Sequence, residues 1–72
     1  MEKISPREEI EILNELGLTN ASIASKVGCH RTAISRAKKG LTTPKLDVAL
    51  KIHSLYRQRI VSVKKMLEGV ND

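Results

Sequence analysis

The chain has very few aromatic residues and very few cysteines. Tyr56 is its one aromatic residue, without any Trp or Phe, so it lacks the stacking platforms on which single-stranded nucleic acids and RNA loops usually bind. The single cysteine, Cys29, has no second cysteine with which to form an internal disulfide. These two shortages argue against an RNA-binding module and against a small secreted domain held together by disulfides.

Long apolar runs are also missing. No stretch approaches the ~20 apolar residues that cross a bilayer, and the N-terminus has no basic segment followed by an apolar run. We therefore expect a cytoplasmic protein with no membrane partner, associated with the nucleoid if it binds DNA. The 72 residues are expected to form one domain, because a chain this short buries only ~60% of its surface and has nothing left for a second core.

Catalytic and metal-binding patterns are absent as well. The acids cluster in the first predicted helix, where capping and solvation explain them, and no Ser-His-Asp or Cys-His arrangement is suggested. Cys29 and His30 are adjacent, but with only the distant His53 as a further ligand they do not match zinc spacing. We expect Cys29 to pack in a turn. The sequence predicts no enzyme, no cofactor and no small-molecule substrate.

Positive charge is concentrated in the middle of the chain. The net charge is +5, yet residues 1–18 carry five acids and two bases, whereas residues 19–45 carry six bases and no acid. A charge run taken alone is usually a solvated surface. An acid-free basic segment is also what a polyanion-binding face needs.

Helix signals follow one another along the chain without any strand signal. The predicted boundaries are a start at Ser5 and Pro6 with an end at Gly17, a cap at Thr19 with an end at Gly28, a start near His30 with an end at Gly40, and a cap at Thr43 with Pro44 at the first helical position. The residues predicted to face inward in the first three helices are Ile10, Leu13, Leu16, Ile23, Ala24, Val27, Ala33, Ile34 and Ala37. The fold class is therefore all-α, with four to five helices.

A largely apolar stripe runs through the C-terminal third. Its members are Leu46, Ala49, Leu50, His53, Tyr56, Ile60, Val63, Leu67 and Val70. No Gly or Pro interrupts residues 45–68, and either one long helix or two helices broken near 55–58 would fit. From Ala49 onward the stripe alternates between spacings of four and three residues, which is typical of a coiled-coil seam.

The two halves of this stripe have different expected partners. We expect the half from Ala49 to Tyr56 to pack on the core of the domain. The half beyond it lies in residues 57–72, which we expect to be a dimerisation segment, because a domain of this size has little core left to cover it. The residues expected in the homodimer interface are Ile60, Val63, Leu67 and Val70.

Three positions set the packing between the second and third helices. Ala24 allows close approach, Gly28 permits a positive φ in the turn, and Ile34 fills the space beneath both. Residues 19–40, TNASIASKVGCHRTAISRAKKG, resemble the helix-turn-helix of the phage Cro and repressor (XRE-type) family. Residues 41–55 resemble that family's following loop and fourth helix, and with the first helix the resemblance covers about three quarters of the chain.

The resemblance implies that the third helix, with its small apolar side held down, reads the major groove of double-stranded DNA. The implied base-reading residues are His30, Arg31, Thr32, Ser35 and Arg36, and His30 is alternatively a helix cap. An arginine that contacts guanine O6 and N7 supplies ~1–3 kcal/mol of discrimination, and which arginine does so stays open. The residues assigned to phosphates are Asn20, where the family often has Gln, and Lys38, Lys39, Thr42, Thr43 and Lys45.

The function predicted from these features is transcription regulation by a phage-type or bacterial repressor that binds an operator as a homodimer. A two-fold dimer spans half-sites ~34 Å apart. The alternative is a protein-interaction module, such as an antitoxin-like or antirepressor component, that uses the same scaffold and the C-terminal helix. The basic, acid-free middle of the chain argues against this alternative.

Overall fold

A computed structural model describes residues 4–70, and side chains for residues 4–67. The described chain forms four helices, α1 (Pro6–Glu15), α2 (Asn20–Val27), α3 (Arg31–Lys39) and α4 (Leu46–Val70). This confirms the all-α prediction, and the C-terminal region is one continuous helix of 25 residues. In the described part of the chain, no helix is long and apolar enough to cross a bilayer.

The first three helices begin at side chains that accept hydrogen bonds from their free N–H groups. Backbone N–H groups of Glu8, Ser22 and Thr32 donate to Ser5 Oγ, Thr19 Oγ1 and His30 Nδ1 over 3.3, 3.1 and 3.1 Å. Gly28 ends α2 at φ +77°, a left-handed conformation that costs a residue with a Cβ ~1–2 kcal/mol. The predicted caps and turn of the first three helices are therefore confirmed.

The fourth helix starts two residues later than predicted. Its first turn is closed where the Ala49 N–H donates to the Lys45 carbonyl over 2.8 Å, so the prediction of a cap at Thr43 with Pro44 in the first helical position was wrong. The loop residues Thr42, Thr43 and Pro44 instead line a surface cavity of about 300 Å³, together with Ser5, Pro6, Arg7, Ala37 and Gly40. The fixed φ of proline suits extended chain as well as a helix start, and Pro44 lies in the loop before α4.

All four helices contribute to one core. Its buried apolar residues, each at most 4% exposed, are Ile10, Leu13, Ile23, Ala24, Val27, Ile34, Ala37 and Ile52. Two residues predicted to face inward are exposed. Leu16 is the C-cap of α1, where the chain turns away from the core, and Ala33 is rotated by about 100° from Ile34 on α3.

The inward face of α4 differs from the predicted stripe. Leu46 and Leu50 are 75% and 60% exposed, whereas Ile52 is fully buried and Val48 and Leu55 pack against the core. Side chains one position apart on a helix differ by about 100°, so the stripe through Val48, Ile52 and Leu55 lies beside the predicted one. The helix is rotated so that this neighbouring stripe faces α1 and α2.

A polar contact joins α1 to α4. The Glu9 carboxylate is 2% exposed, and its Oε2 lies 2.5 Å from His53 Nδ1, whose side chain is 51% exposed. The expectation that solvation accounts for the acids of α1 was therefore wrong for Glu9. Burial of a carboxylate requires a polar partner, and His53 supplies it from 44 residues away.

Candidate nucleic-acid interface

The predicted base-reading residues lie on the side of α3 that faces away from the core. His30, Arg31, Thr32 and Arg36 are exposed and Ser35 is half-buried. Arg31 with Ser35, and Thr32 with Arg36, form two adjacent rows, because residues four apart share a helix face. The opposite side is held down by the buried Ile34 and Ala37, so the helix presents a surface that is polar and basic apart from the exposed Ala33.

His30 fills one of the two roles that the sequence left open for it, that of a helix cap. Its Nδ1 accepts the Thr32 N–H over 3.1 Å and lies 3.0 Å from Thr32 Oγ1, which confirms that it caps α3. Accepting at Nδ1 places the proton of the neutral ring on Nε2. The exposed edge of His30 is therefore a hydrogen-bond donor, suited to an acceptor on DNA.

The arginines of α3 have no carboxylate partner among the described residues. Among the described side chains, ion pairs occur between Arg7 and Glu11, at 3.8 Å, and between His53 and Glu9. Neither pair includes Arg31 or Arg36. Because α3 carries no acid and neither guanidinium group is paired with a carboxylate of the described residues, their donors are available for an outside partner.

The residues assigned to phosphates lie on two segments, one before and one after the predicted base-reading residues in sequence. At the end of α3 and in the following loop, Lys38 is half-buried, and the exposed members are Lys39, Thr42, Thr43 and Lys45. Asn20 is the first residue of α2 and is half-buried. Its Oδ1 accepts a hydrogen bond of 3.1 Å from Asn14 Nδ2, which leaves its NH2 group for another acceptor.

Arg7 joins this region although the sequence analysis did not assign it. Its Nη1 atom lies 3.3 Å from the position that a Cβ on Gly40 would occupy, so its guanidinium rests against the loop after α3. The residue was missed because it stands in the acid-rich first segment, four residues before Glu11. The one sequence signal for this position was that Arg7 stands near the start of α1, the end of the helix that lies beside the loop.

Cys29 has a packing role in the turn between α2 and α3. It is half-buried against the core, as predicted, and burial raises the pKa of its thiol. The described residues contain no group of three or more His, Cys, Asp or Glu side chains that would hold a metal ion. Among the described residues, Cys29 therefore belongs to the packing of the turn and to no cluster of metal ligands.

Comparison with known proteins agrees with the geometry of this face. A family model described as Helix-turn-helix matches residues 10–61, more than half of the chain and all of the segment from Thr19 to Gly40. Comparisons with curated proteins and with solved structures found no match. The chain belongs to the XRE-type helix-turn-helix family of DNA-binding regulators.

Proposed function

We propose that the protein is a phage-type or bacterial repressor that places α3 in the major groove of an operator. The observation that carries the proposal is the outward face of α3, which is polar and basic, carries no acid, and has two arginines without carboxylate partners among the described residues. The major groove, about 12 Å wide, admits an α-helix. Occupying a promoter represses transcription by steric exclusion alone.

The side chains of this surface divide into two groups by the part of the DNA that they contact. Base edges are read by the residues at the start and middle of α3, namely His30, Arg31, Thr32, Ser35 and Arg36. Phosphates are bound by the residues at its end, in the loop and at the start of α2, namely Lys38, Lys39, Thr42, Thr43, Lys45 and Asn20. Phosphate contacts position the protein and base contacts specify the sequence.

Lys39→Ala tests the phosphate assignment. We expect it to weaken binding to an operator and to a scrambled duplex by the same factor, and to lower the slope of log K against log salt by ~1, because one fewer counterion is released. The affinities are measured by salt-titrated gel shift, on an operator selected from a random duplex library. Lys65→Ala, an exposed lysine of α4, is the matched control and leaves the slope unchanged. Absence of binding to any duplex at low salt contradicts the proposal and favours the protein-interaction module.

We also propose that the protein binds DNA as a homodimer through the end of α4. The last residues of this helix that pack on the core are Leu55 and Tyr56. Beyond them, Ile60 and Val63 are only half-buried and Leu67 is 62% exposed. These side chains share the seam spacing, so a second copy of the helix covers them. Val70 lies outside the described side chains, and its membership rests on spacing alone.

The charges beside this stripe give the dimer a distinctive salt dependence. Arg57, Arg59 and Lys64 are exposed and occupy the positions that flank a coiled-coil seam. Like charges then face each other across the dimer, and added salt screens their repulsion. Dimerisation is therefore expected to strengthen with salt, whereas DNA binding weakens.

Leu67→Asn tests the dimer. We expect it to raise the dimer dissociation constant at least about tenfold, roughly 1.4 kcal/mol, because it places an amide in the apolar seam of both copies. Sedimentation equilibrium at several salt concentrations measures the constant. Val61→Asn, an equally conservative change at a 48% exposed position beside the stripe, is the control and leaves it unchanged. A wild-type protein that stays monomeric at ~100 μM, both free and on DNA, removes the homodimer and leaves the stripe for a different protein.

A further inference from the structure

Two asparagine side chains form a bridge between the end of α1 and the start of α2. Asn14 Nδ2 donates to the Leu18 carbonyl over 2.8 Å and to Asn20 Oδ1 over 3.1 Å. Both asparagines are half-buried. The bridge therefore connects a residue without an assigned role to one assigned to a DNA phosphate.

The direction of each amide in this bridge is fixed. A backbone carbonyl only accepts, so Asn14 must present its nitrogen to Leu18, and its second N–H then points at Asn20. That contact requires the oxygen of Asn20, which turns the Asn20 NH2 group the other way. This NH2 group has no acceptor among the described residues. It is not buried, so it reaches solvent.

The bridge has a cost that its structural role does not explain. Asn14 Oδ1 is buried and accepts no hydrogen bond from any described residue. A buried polar atom without a partner destabilises the fold. This cost is set against the two hydrogen bonds that Asn14 Nδ2 donates, of which the one to Asn20 fixes the direction of that amide.

We propose that Asn14 is a positioning residue for DNA binding, which holds the Asn20 carboxamide with its NH2 group outward to donate to a backbone phosphate. The inference rests on the proposed DNA binding and on the assignment of Asn20 to a phosphate. Phosphate oxygens only accept, so the same amide presented oxygen-first is repelled. Fixing the amide before binding also removes part of its rotamer entropy cost.

Asn14→Asp tests this by reversing the amide. A carboxylate at residue 14 only accepts, so it takes a hydrogen bond from the Asn20 NH2 and turns the oxygen outward. We expect operator affinity to fall roughly tenfold or more, as for loss of a hydrogen bond to a charged group. Asn20→Ala is expected to give a similar loss.

The added charge is separated from the positioning effect by a double-mutant cycle. In the Asn20→Ala background, Asn14→Asp retains only the effect of its charge, so most of its loss disappears. Duplexes carrying a single neutral methylphosphonate are the second readout. At the phosphate that Asn20 contacts, and at no other, Asn20→Ala loses its effect and Asn14→Asp keeps only the effect of its charge, which a merely structural role for Asn14 does not predict.

The outcomes distinguish the inference from the proposed function. Equal losses from Asn14→Asp in the two backgrounds, with wild-type protein bound normally, overturn the positioning role alone. Wild-type protein without affinity for any duplex at low salt overturns the proposed function and this inference together. Where circular dichroism shows that Asn14→Asp does not fold, Asn14→Leu, which frees Asn20 to rotate, is compared in the same two backgrounds. Equal losses again overturn the inference.

Discussion

Alanine in place of Arg31 or Arg36 is expected to relax the base preference of the protein at one position of each half-site. An arginine that contacts guanine O6 and N7 supplies ~1–3 kcal/mol of discrimination, so at least one of the two variants loses about 5- to 150-fold in the ratio of operator to mismatched duplex. Both side chains are exposed and have no carboxylate partner among the described residues. Their removal therefore leaves the fold intact and acts on the bound state.

Lysine substitutions at the same positions separate base reading from phosphate contact. Arg31→Lys and Arg36→Lys keep the charge but lose the planar fork that matches a guanine edge. If an arginine reads a base, the protein loses its base preference in both the alanine and the lysine variant at that position. If the arginine contacts a phosphate, the lysine variant keeps the preference. Repeating the selection from a random duplex library with each variant measures the preference, and Lys39→Ala serves as a control that changes affinity alone. Unchanged preference in both alanine variants contradicts the assignment of these arginines.

The local signals of the sequence predicted most of the helix boundaries. Ser5 and Thr19 cap their helices as predicted, because capping depends on a side chain and an N–H group three residues away. Gly28 was recognisable as the turn because glycine takes the positive φ of a helix end without the clash of a Cβ. Such features need no knowledge of the rest of the fold.

Features that depend on distant contacts were not predictable. Thr43 and Pro44 lie in the loop before α4, because the fixed φ of proline suits extended chain as well as a helix start. Glu9 was taken for a solvated acid because its partner, His53, lies 44 residues further along the chain. In each case, the local pattern was compatible with two arrangements. For Glu9, a contact between distant parts of the chain determines which one forms.

The same distinction applies to the candidate interface. The exposed face of α3 follows from helical periodicity, so the spacing of Arg31, Thr32 and Arg36 was enough to predict that they face outward. The direction of the Asn14 amide is set by a turn carbonyl, and the place of Arg7 by packing between α1 and the loop. Periodicity carries no information about either of these contacts.

Ile52→Ala is the most direct test of how α4 faces the core, and we expect it to be strongly destabilising. Ile52 is fully buried, and truncating such a residue costs ~2–5 kcal/mol through lost transfer free energy and the cavity left behind. A domain of this length has a free energy of unfolding of roughly 4–11 kcal/mol. The variant is therefore close to its unfolding threshold, and urea denaturation followed by circular dichroism measures the loss.

Leu50→Ala is the matched control, because it removes an aliphatic side chain of the same size from the same helix, two residues earlier. Leu50 is 60% exposed, so its truncation is expected to change the unfolding free energy by no more than ~0.5 kcal/mol. The predicted stripe through Leu46 and Leu50 requires the reverse order of effects. Equal losses from the two variants contradict the observed rotation of α4, whereas a large loss from Ile52→Ala alone establishes it. If the proposed operator binding holds, operator DNA is expected to raise the unfolding midpoint of the weakened variant, because it binds the folded state only.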